Sequence, residues 1–365
     1  MALTQVQQSL FPPQVKAFQQ DNSLTIRLPE MFVLFLSGEP TVNPHYESVR
    51  KVSEEWLVRE CSFNEKAQRR LHKTDFAYFC AIAVPDAEPE ELRTVFDWGN
   101  WVFPFDDLFD NGCLKDDPHR AEALIDSLKA GMVDQGEYMP VSADHPLVQI
   151  HNSVWHRIAK ASSVGIRRRF ATTMRDYCTG CIAQVRKCSE GKLPSLEEML
   201  SLRRQSAGVS PLFSLVEYAH KLELPDCVFE CKSIREIERI GIDLVLIQND
   251  ILSYCKEEKE GVRHNMVAIC RHNGMPAQMA FNHIGSMLAE RYRDWYLALA
   301  ALPTWGEPVD ADVQKYIRGV QNVVRANLHW SFRSGRYFGP ANDKVRRTGQ
   351  VTVRGQSADF KLSFM

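Results

Sequence analysis

Nothing in this 365-residue chain is built to cross a membrane: its apolar runs, such as Met31-Phe32-Val33-Leu34-Phe35-Leu36, fall far short of the roughly 20 residues a span requires. Charge of either sign is not in excess, with 44 Lys+Arg against 46 Asp+Glu and a formal net charge of −2. That balance excludes the basic footprint of a nucleic-acid binder. N-x-[ST] sequons are missing, the start MALTQVQQSLFPP has no basic segment leading into an apolar one, and the ten cysteines are scattered. Together these absences predict a cytoplasmic protein with no disulfide framework. Internal repeats, low-complexity tracts and Pro/Gly-rich linkers are lacking as well, which argues against several domains. Alternating apolar/polar patterns of strand type are almost absent.

What remains is 44% hydrophobic and 10% aromatic, enough for a large core and too much for disorder. The apolar residues recur with helical period in roughly a dozen segments, among them EPEELRTVFDWGNWVFPFDDLFD, PDCVFECKSIREIERIGIDLVLIQNDILSYCKEE and PAQMAFNHIGSMLAERYRDWYLALAAL. Several begin after Pro, Ser or Asp with acids in the first turn, as helix starts should. We therefore expect an all-α, single-domain helical bundle over residues 26–338. A loosely ordered segment (1–25) precedes it and a polar, flexible tail (339–365) follows.

Four segments carry candidate chemistry. In Phe103-Pro104-Phe105-Asp106-Asp107-Leu108-Phe109-Asp110, Asp106 and Asp110 are four residues apart and share a helical face, with Asp107 about 100° away. Acids so crowded among aromatics call for a cation. In Asn249-Asp250-Ile251-Leu252-Ser253-Tyr254-Cys255-Lys256-Glu257, the residues Asn249, Ser253 and Glu257 project to one side. An amide oxygen, a hydroxyl and a carboxylate form a hard, all-oxygen set suited to Mg²⁺. Near the end of the last helix, Arg336-Tyr337 offers a charged and a neutral donor to one phosphate group. Finally, Leu202-Arg203-Arg204-Gln205-Ser206-Ala207-Gly208-Val209-Ser210-Pro211 predicts a break in a helix, with Arg204 one turn ahead of it. Read singly, each also fits a bland surface stripe or helix junction. Cys178-Thr179-Gly180-Cys181, with Cys188 following, lacks the further ligands zinc needs and reads as core thiols. Arg167-Arg168-Arg169 reads as a solvated helix face, and Ser206 and Ser210 have no His–Asp partners.

Taken together and in this order, DDxxD, a downstream NDxxSxxKE, an Arg about 45 positions before its Asn, and a terminal RY resemble the class I terpene cyclases. Within that family the chain is most similar to fungal sesquiterpene synthases, especially the basidiomycete type. LPSLEEMLSLRRQSAGVSPLFSLVEYA and NDILSYCKEEKEGVRHN agree with it, and the likeness runs from roughly Pro44 to Tyr337. The resemblance implies a helical cup with a central active-site cavity, a farnesyl diphosphate substrate, and three Mg²⁺ ions with Mn²⁺ as a substitute. It makes Asp106 the main aspartate ligand, supported by Asp107 and Asp110, and Asn249, Ser253 and Glu257 the second metal triad. Arg204 takes the diphosphate-sensor position, Ala207 the linker and Gly208 the effector; Ala207 departs from relatives that carry a polar side chain there. Lys256, Arg336 and Tyr337 match the other diphosphate contacts, and Trp330 the position of an aromatic cation stabiliser.

By helical register Val102 and Phe103 lie one turn below Asp106, and Val245 and Leu246 one turn below Asn249, so these four are expected to shape the pocket. Phe76 and Phe79 are further candidates, each also readable as plain core. Two other readings stay open: a chain-elongating prenyltransferase, which would carry a second aspartate-rich motif instead of Asn249/Ser253/Glu257, and a noncatalytic helical interaction protein. Whether the chain forms a homodimer is left open.

Overall fold

The structure, a computed structural model, describes residues 23–110, 112–115, 117–132, 145–189 and 193–355. Among these, two short strands, β1 (Ser23–Arg27) and β2 (Gln350–Arg354), flank fifteen α-helices. The first half of the chain forms α1 (Tyr46–Glu60), α2 (Glu65–Thr74), α3 (Phe76–Ala83), α4 (Pro89–Asp110), α5 (Pro118–Ala130), α6 (Pro146–Ala161) and α7 (Val164–Ser189). Next come α8 (Leu196–Ser206), α9 (Val209–Ala219), α10 (Asp226–Glu230), α11 (Lys232–Glu260), α12 (Met266–His272), α13 (Ala277–Ala300), α14 (Val309–Arg333) and α15 (Asn342–Thr348).

Local chemistry sets the boundaries of these helices. Ser195 and Glu198 close a capping box at the start of α8, and Asn64 caps α2. Glu90 and Glu91 sit in the first turn of α4, where the positive end of the helix dipole favours them. Gly261, at φ +73°, ends the long α11 in the left-handed conformation that only glycine adopts cheaply.

Helices α3, α4, α7, α8, α11 and α14 pack each against the next, and α14 returns to α3, closing a ring. Within it, α9 touches α4, α7, α11 and α14, and all of its residues but Ser210 are buried. Its sequence, apolar nearly all round, is that of a helix with no solvent face. Both helices that carry the acidic motifs, α4 and α11, belong to this ring.

The chain ends differ from the sequence expectation. Ser23–Arg27 pairs antiparallel with Gln350–Arg354, and α15 precedes the second strand, so residues 339–355 are helix and strand rather than a flexible tail. Val351 and Val353 are buried while Thr352 and Arg354 face outward, the period-2 pattern of a half-buried strand. Residues 1–22 and 356–365 lie outside the described residues.

Candidate active site

The aspartate motif occupies the last turn and a half of α4, beyond Pro104. Asp106 accepts a hydrogen bond from the buried Tyr177 hydroxyl of α7. Asp107 points another way, pairing with Arg70 of α2 at 2.9 Å. Asp110 is the last residue of the helix, and its side chain lies outside the described residues.

The second motif lies on α11. Asn249 donates from Nδ2 to the Tyr337 hydroxyl at 2.8 Å, and its Oδ1 accepts from Arg203 Nη2 at 3.2 Å. Ser253 is fully buried, and Glu257 is half-buried one turn further on. Between them sits Asn265, whose Nδ2 is 2.9 Å from Glu257 Oε2 and 3.4 Å from Ser253 Oγ. Asp250, the acid next to Asn249, is fully buried; it accepts from Arg203 and, at 2.6 Å, from the Met266 amide. Burial pushes its pKa up to about 6 against the pull of the Arg203 charge.

The two faces meet at the segment that follows α14. Arg336 lies over the Phe103 ring, 4.6 Å from its centroid. Burial opposes its charge, yet Tyr337, Asp107 and Glu257 together hold its pKa above the usual guanidinium value. One cation thus feels an acid from α4 and an acid from α11. Beneath it is an aromatic cluster. Trp330, 1% exposed, stacks on Phe103 at 5.6 Å and meets Phe76, Phe79 and Tyr337 edge-on. Phe76 in turn stacks on Phe79 at 4.4 Å and meets Phe103 edge-on at 4.7 Å. Three elements, α3, α4 and α14, supply these rings, so Phe76, Phe79, Phe103 and Trp330 come together as pocket candidates. Val102 is buried in the same helix as Phe103. Val245 and Leu246 are buried on α11, where the Val245 carbonyl accepts from Asn327 at 3.3 Å.

The helix break falls between α8 and α9. Gly208 has φ +67°, and a Cβ there would meet Tyr177, Val102 and Trp98 at 3.5–3.7 Å, ordinary contact distances. The backbone conformation, then, is what requires glycine. Gly180 of α7 brings the two backbones together, since a Cβ on it would lie 2.5 Å from the Gln205 carbonyl carbon. Ala207 ends α8 beside the break. Arg204 stands off the face of Asn249, Ser253 and Glu257: its Nε and Nη2 bind the two oxygens of buried Asp243 at 2.6 and 2.8 Å, and Arg239 and Arg291 share that carboxylate. The arginine that reaches Asn249 is its neighbour Arg203. Lys256 pairs with Glu260 at 2.8 Å.

Tyr177, Arg203, Asn265 and Asp243 were not singled out from the sequence. No local spacing marks the first, which approaches from another helix; Asn265 does carry the signal of an N-cap before MVAIC. Cys178 and Cys181 are buried in α7, and among the described residues no three His, Cys, Asp or Glu side chains converge as a metal cluster. A separate cavity of about 670 Å³ opens between Val49, Glu90, Arg93, Arg157 and Tyr218. It lies toward the opposite end of α4, ~24 Å along the helix from Asp106 at 1.5 Å per residue.

Helices α4 and α11 thus present oxygen-rich faces to one segment, Arg336-Tyr337, above an aromatic cluster. Residues 97–294 match the family model described as terpene synthase family 2, C-terminal metal binding. The chain belongs to the terpene synthase family, of the fungal class I type. It is 40% identical over 90% of its length to silphinene synthase from Penicillium patulum, with 90% of that protein covered. To (+)-eremophilene synthase from Gibberella fujikuroi it is 36% identical, over 86% of this chain and 88% of the other. Sesquiterpene synthase 3 from Postia placenta is 29% identical, with 94% and 93% covered. Among solved structures, germacradien-4-ol synthase from Streptomyces citricolor superposes with a TM-score of 0.70 at 20% identity, over 83% of this chain and 97% of that one. That likeness speaks for the fold. No helix among the described residues is long and apolar enough to cross a membrane.

Proposed function

We propose that this protein is a cytoplasmic sesquiterpene synthase that ionises farnesyl diphosphate, cyclises the cation and releases diphosphate with a hydrocarbon or alcohol. The observation that carries this reading is the Arg336-Tyr337 segment, whose guanidinium lies over Phe103 of α4 while its tyrosine hydroxyl is bonded to Asn249 of α11. That segment joins the two acidic helices above an aromatic cluster. The donor set fits a hard divalent ion: carboxylates on one side, and amide, hydroxyl and carboxylate oxygens on the other. Asp106, Asp107 and Asp110 would hold such ions opposite Asn249, Ser253 and Glu257, three Mg²⁺ in number with Mn²⁺ as a substitute. Bound there, they supply neutralisation of the charge that grows on the departing diphosphate.

The chain's own groups do the rest. Arg336 and the Tyr337 hydroxyl donate to the diphosphate oxygens. Arg204 joins them from Asp243, which Arg239 and Arg291 keep paired after it leaves. Lys256 gives up Glu260, a pair near solvent whose loss costs little. The rings of Phe76, Phe79, Phe103 and Trp330 offer π faces to the cation, worth about 2 kcal/mol each when dry, while presenting no nucleophile. Incubation of the purified protein with Mg²⁺ and C10, C15 or C20 prenyl diphosphates, followed by gas chromatography of the headspace, tests the reading. Volatile C15 products from farnesyl diphosphate are expected. Longer linear diphosphates would mean chain elongation, and no Mg²⁺-dependent diphosphate release would mean no catalysis.

A further inference from the structure

We propose that Asn265 is a positioning residue for the second metal face, setting the carboxylate of Glu257 before any ion arrives. The inference rests on the site reading above and goes beyond it by assigning a role to a residue outside the ligand motif. Asn265 is fully buried, just before α12. Its carbonyl oxygen accepts from the Val267 and Ala268 amides at 2.8 and 3.3 Å, which caps that helix. Its amide nitrogen faces three turns of α11 at once: the Asp250 carbonyl at 2.9 Å, Ser253 Oγ at 3.4 Å and Glu257 Oε2 at 2.9 Å.

An amide nitrogen carries only two hydrogens. The two shorter contacts take them, so Glu257 is gripped firmly through one oxygen while Ser253 lies alongside. Gripping Oε2 leaves Oε1 as the oxygen that can turn to a cation. A neutral donor suits this task, because it orients the carboxylate without competing for the charge that must attract the ion. A lysine or arginine in the same place would occupy the seat itself. The Met266 amide, next in sequence, binds Asp250 Oδ2 at 2.6 Å, so the start of α12 is fastened to α11 at Asp250 and Glu257. Capping and gripping are thus done by opposite ends of one side chain and can be separated by mutation.

Asn265→Ser keeps a good N-cap but is too short to reach Glu257. Asn265→Asp keeps the cap and the reach but cannot donate. Binding is read with Mg²⁺ and inorganic diphosphate, by calorimetry and by the Mg²⁺ midpoint of the thermal shift, with no turnover involved. The wild type should bind and be stabilised; if it is not, the site reading itself has failed. Given wild-type binding, Asn265→Ser should stay folded, melting somewhat lower because its bonds to Asp250 and Glu257 are lost, and lose roughly 10–100-fold in Mg²⁺ affinity, the usual effect of removing a group that orients a ligand. The loss should vanish in a Glu257→Gln background, since Asn265 acts through that carboxylate. Unchanged affinity in a folded Asn265→Ser, or an equal loss with and without Glu257, would overturn the proposal. Should the serine variant fail to fold, Asn265→Asp decides by the same two measurements.

Discussion

Trp330→Leu separates a wall that shapes chemistry from one that only fills space. The indole is 1% exposed, donates from Nε1 to the Thr74 carbonyl at 2.7 Å and touches four other rings. Removing the donor leaves that carbonyl unsatisfied, at about 1–3 kcal/mol. Losing the ring pairs and part of the volume adds more, and large-to-small changes of this kind total about 3–5 kcal/mol when nothing refills the space. Leucine refills some of it, so we expect a loss near 3 kcal/mol and a melting temperature lower by roughly 4 °C. Mg²⁺-dependent release of diphosphate from farnesyl diphosphate should persist, because Trp330 is itself neither a proposed metal ligand nor a diphosphate donor, and the neighbouring Tyr337 keeps its bond to Asn249. The product mixture should change, because the cation has lost the face it rests on. Trp330→Phe supplies the contrast: it keeps a ring, loses the Thr74 bond, and should cost about 1–3 kcal/mol with most of the native product retained. A Trp330→Leu enzyme that melts lower yet gives an unchanged chromatogram would refute the assignment and reduce Trp330 to packing.

The adjacent arginines should part company: Arg203→Ala strips the buried Asp250 of its guanidinium and should cost about 3–5 kcal/mol in chemical denaturation. Arg204→Ala leaves Asp243 with two arginines, so its stability should fall little while calorimetry shows weakened binding of Mg²⁺ with inorganic diphosphate. Asp106→Ala and Asn249→Ala should each abolish turnover while circular dichroism shows the helical fold intact; near-wild-type activity in both would remove the metal assignment. Burial pushes the pKa of His151 down to about 3, with Asn152 partly opposing. The folded state therefore binds fewer protons than the unfolded one between that value and the ordinary 6.5. Stability should fall as pH drops through this window, by up to about 1.4 kcal/mol per unit from this residue. Urea titrations of His151→Gln at pH 6.5 and 5 should show a flatter dependence; an equal slope would mean the ring is not the source.

How much of this was readable beforehand follows from where each group sits in the chain. Asp106 with Asp110, and Asn249 with Ser253 and Glu257, lie on single helices, so the helical repeat alone places each set on one face. The meeting of those faces rests on Arg336 and Tyr337, whose position depends on how the chain reverses after α14, and spacing holds no record of that turn. Tyr177 on Asp106, Arg203 on Asn249 and Asp250, and Arg204 on Asp243 are pairings between separate helices, made by residue types common on any surface. Arg204 shows the limit most sharply, since the resemblance makes it a diphosphate contact while its fork is closed on Asp243. The strand pair failed for a related reason. Val351 and Val353 alternate over only five residues, and their partner strand is at the other end of the chain. What a sequence discloses of such a site is therefore its candidate ligands, which share a helix face if they are to share an ion. The groups that hold those ligands still need only meet them in space, and so any helix of the ring can provide them.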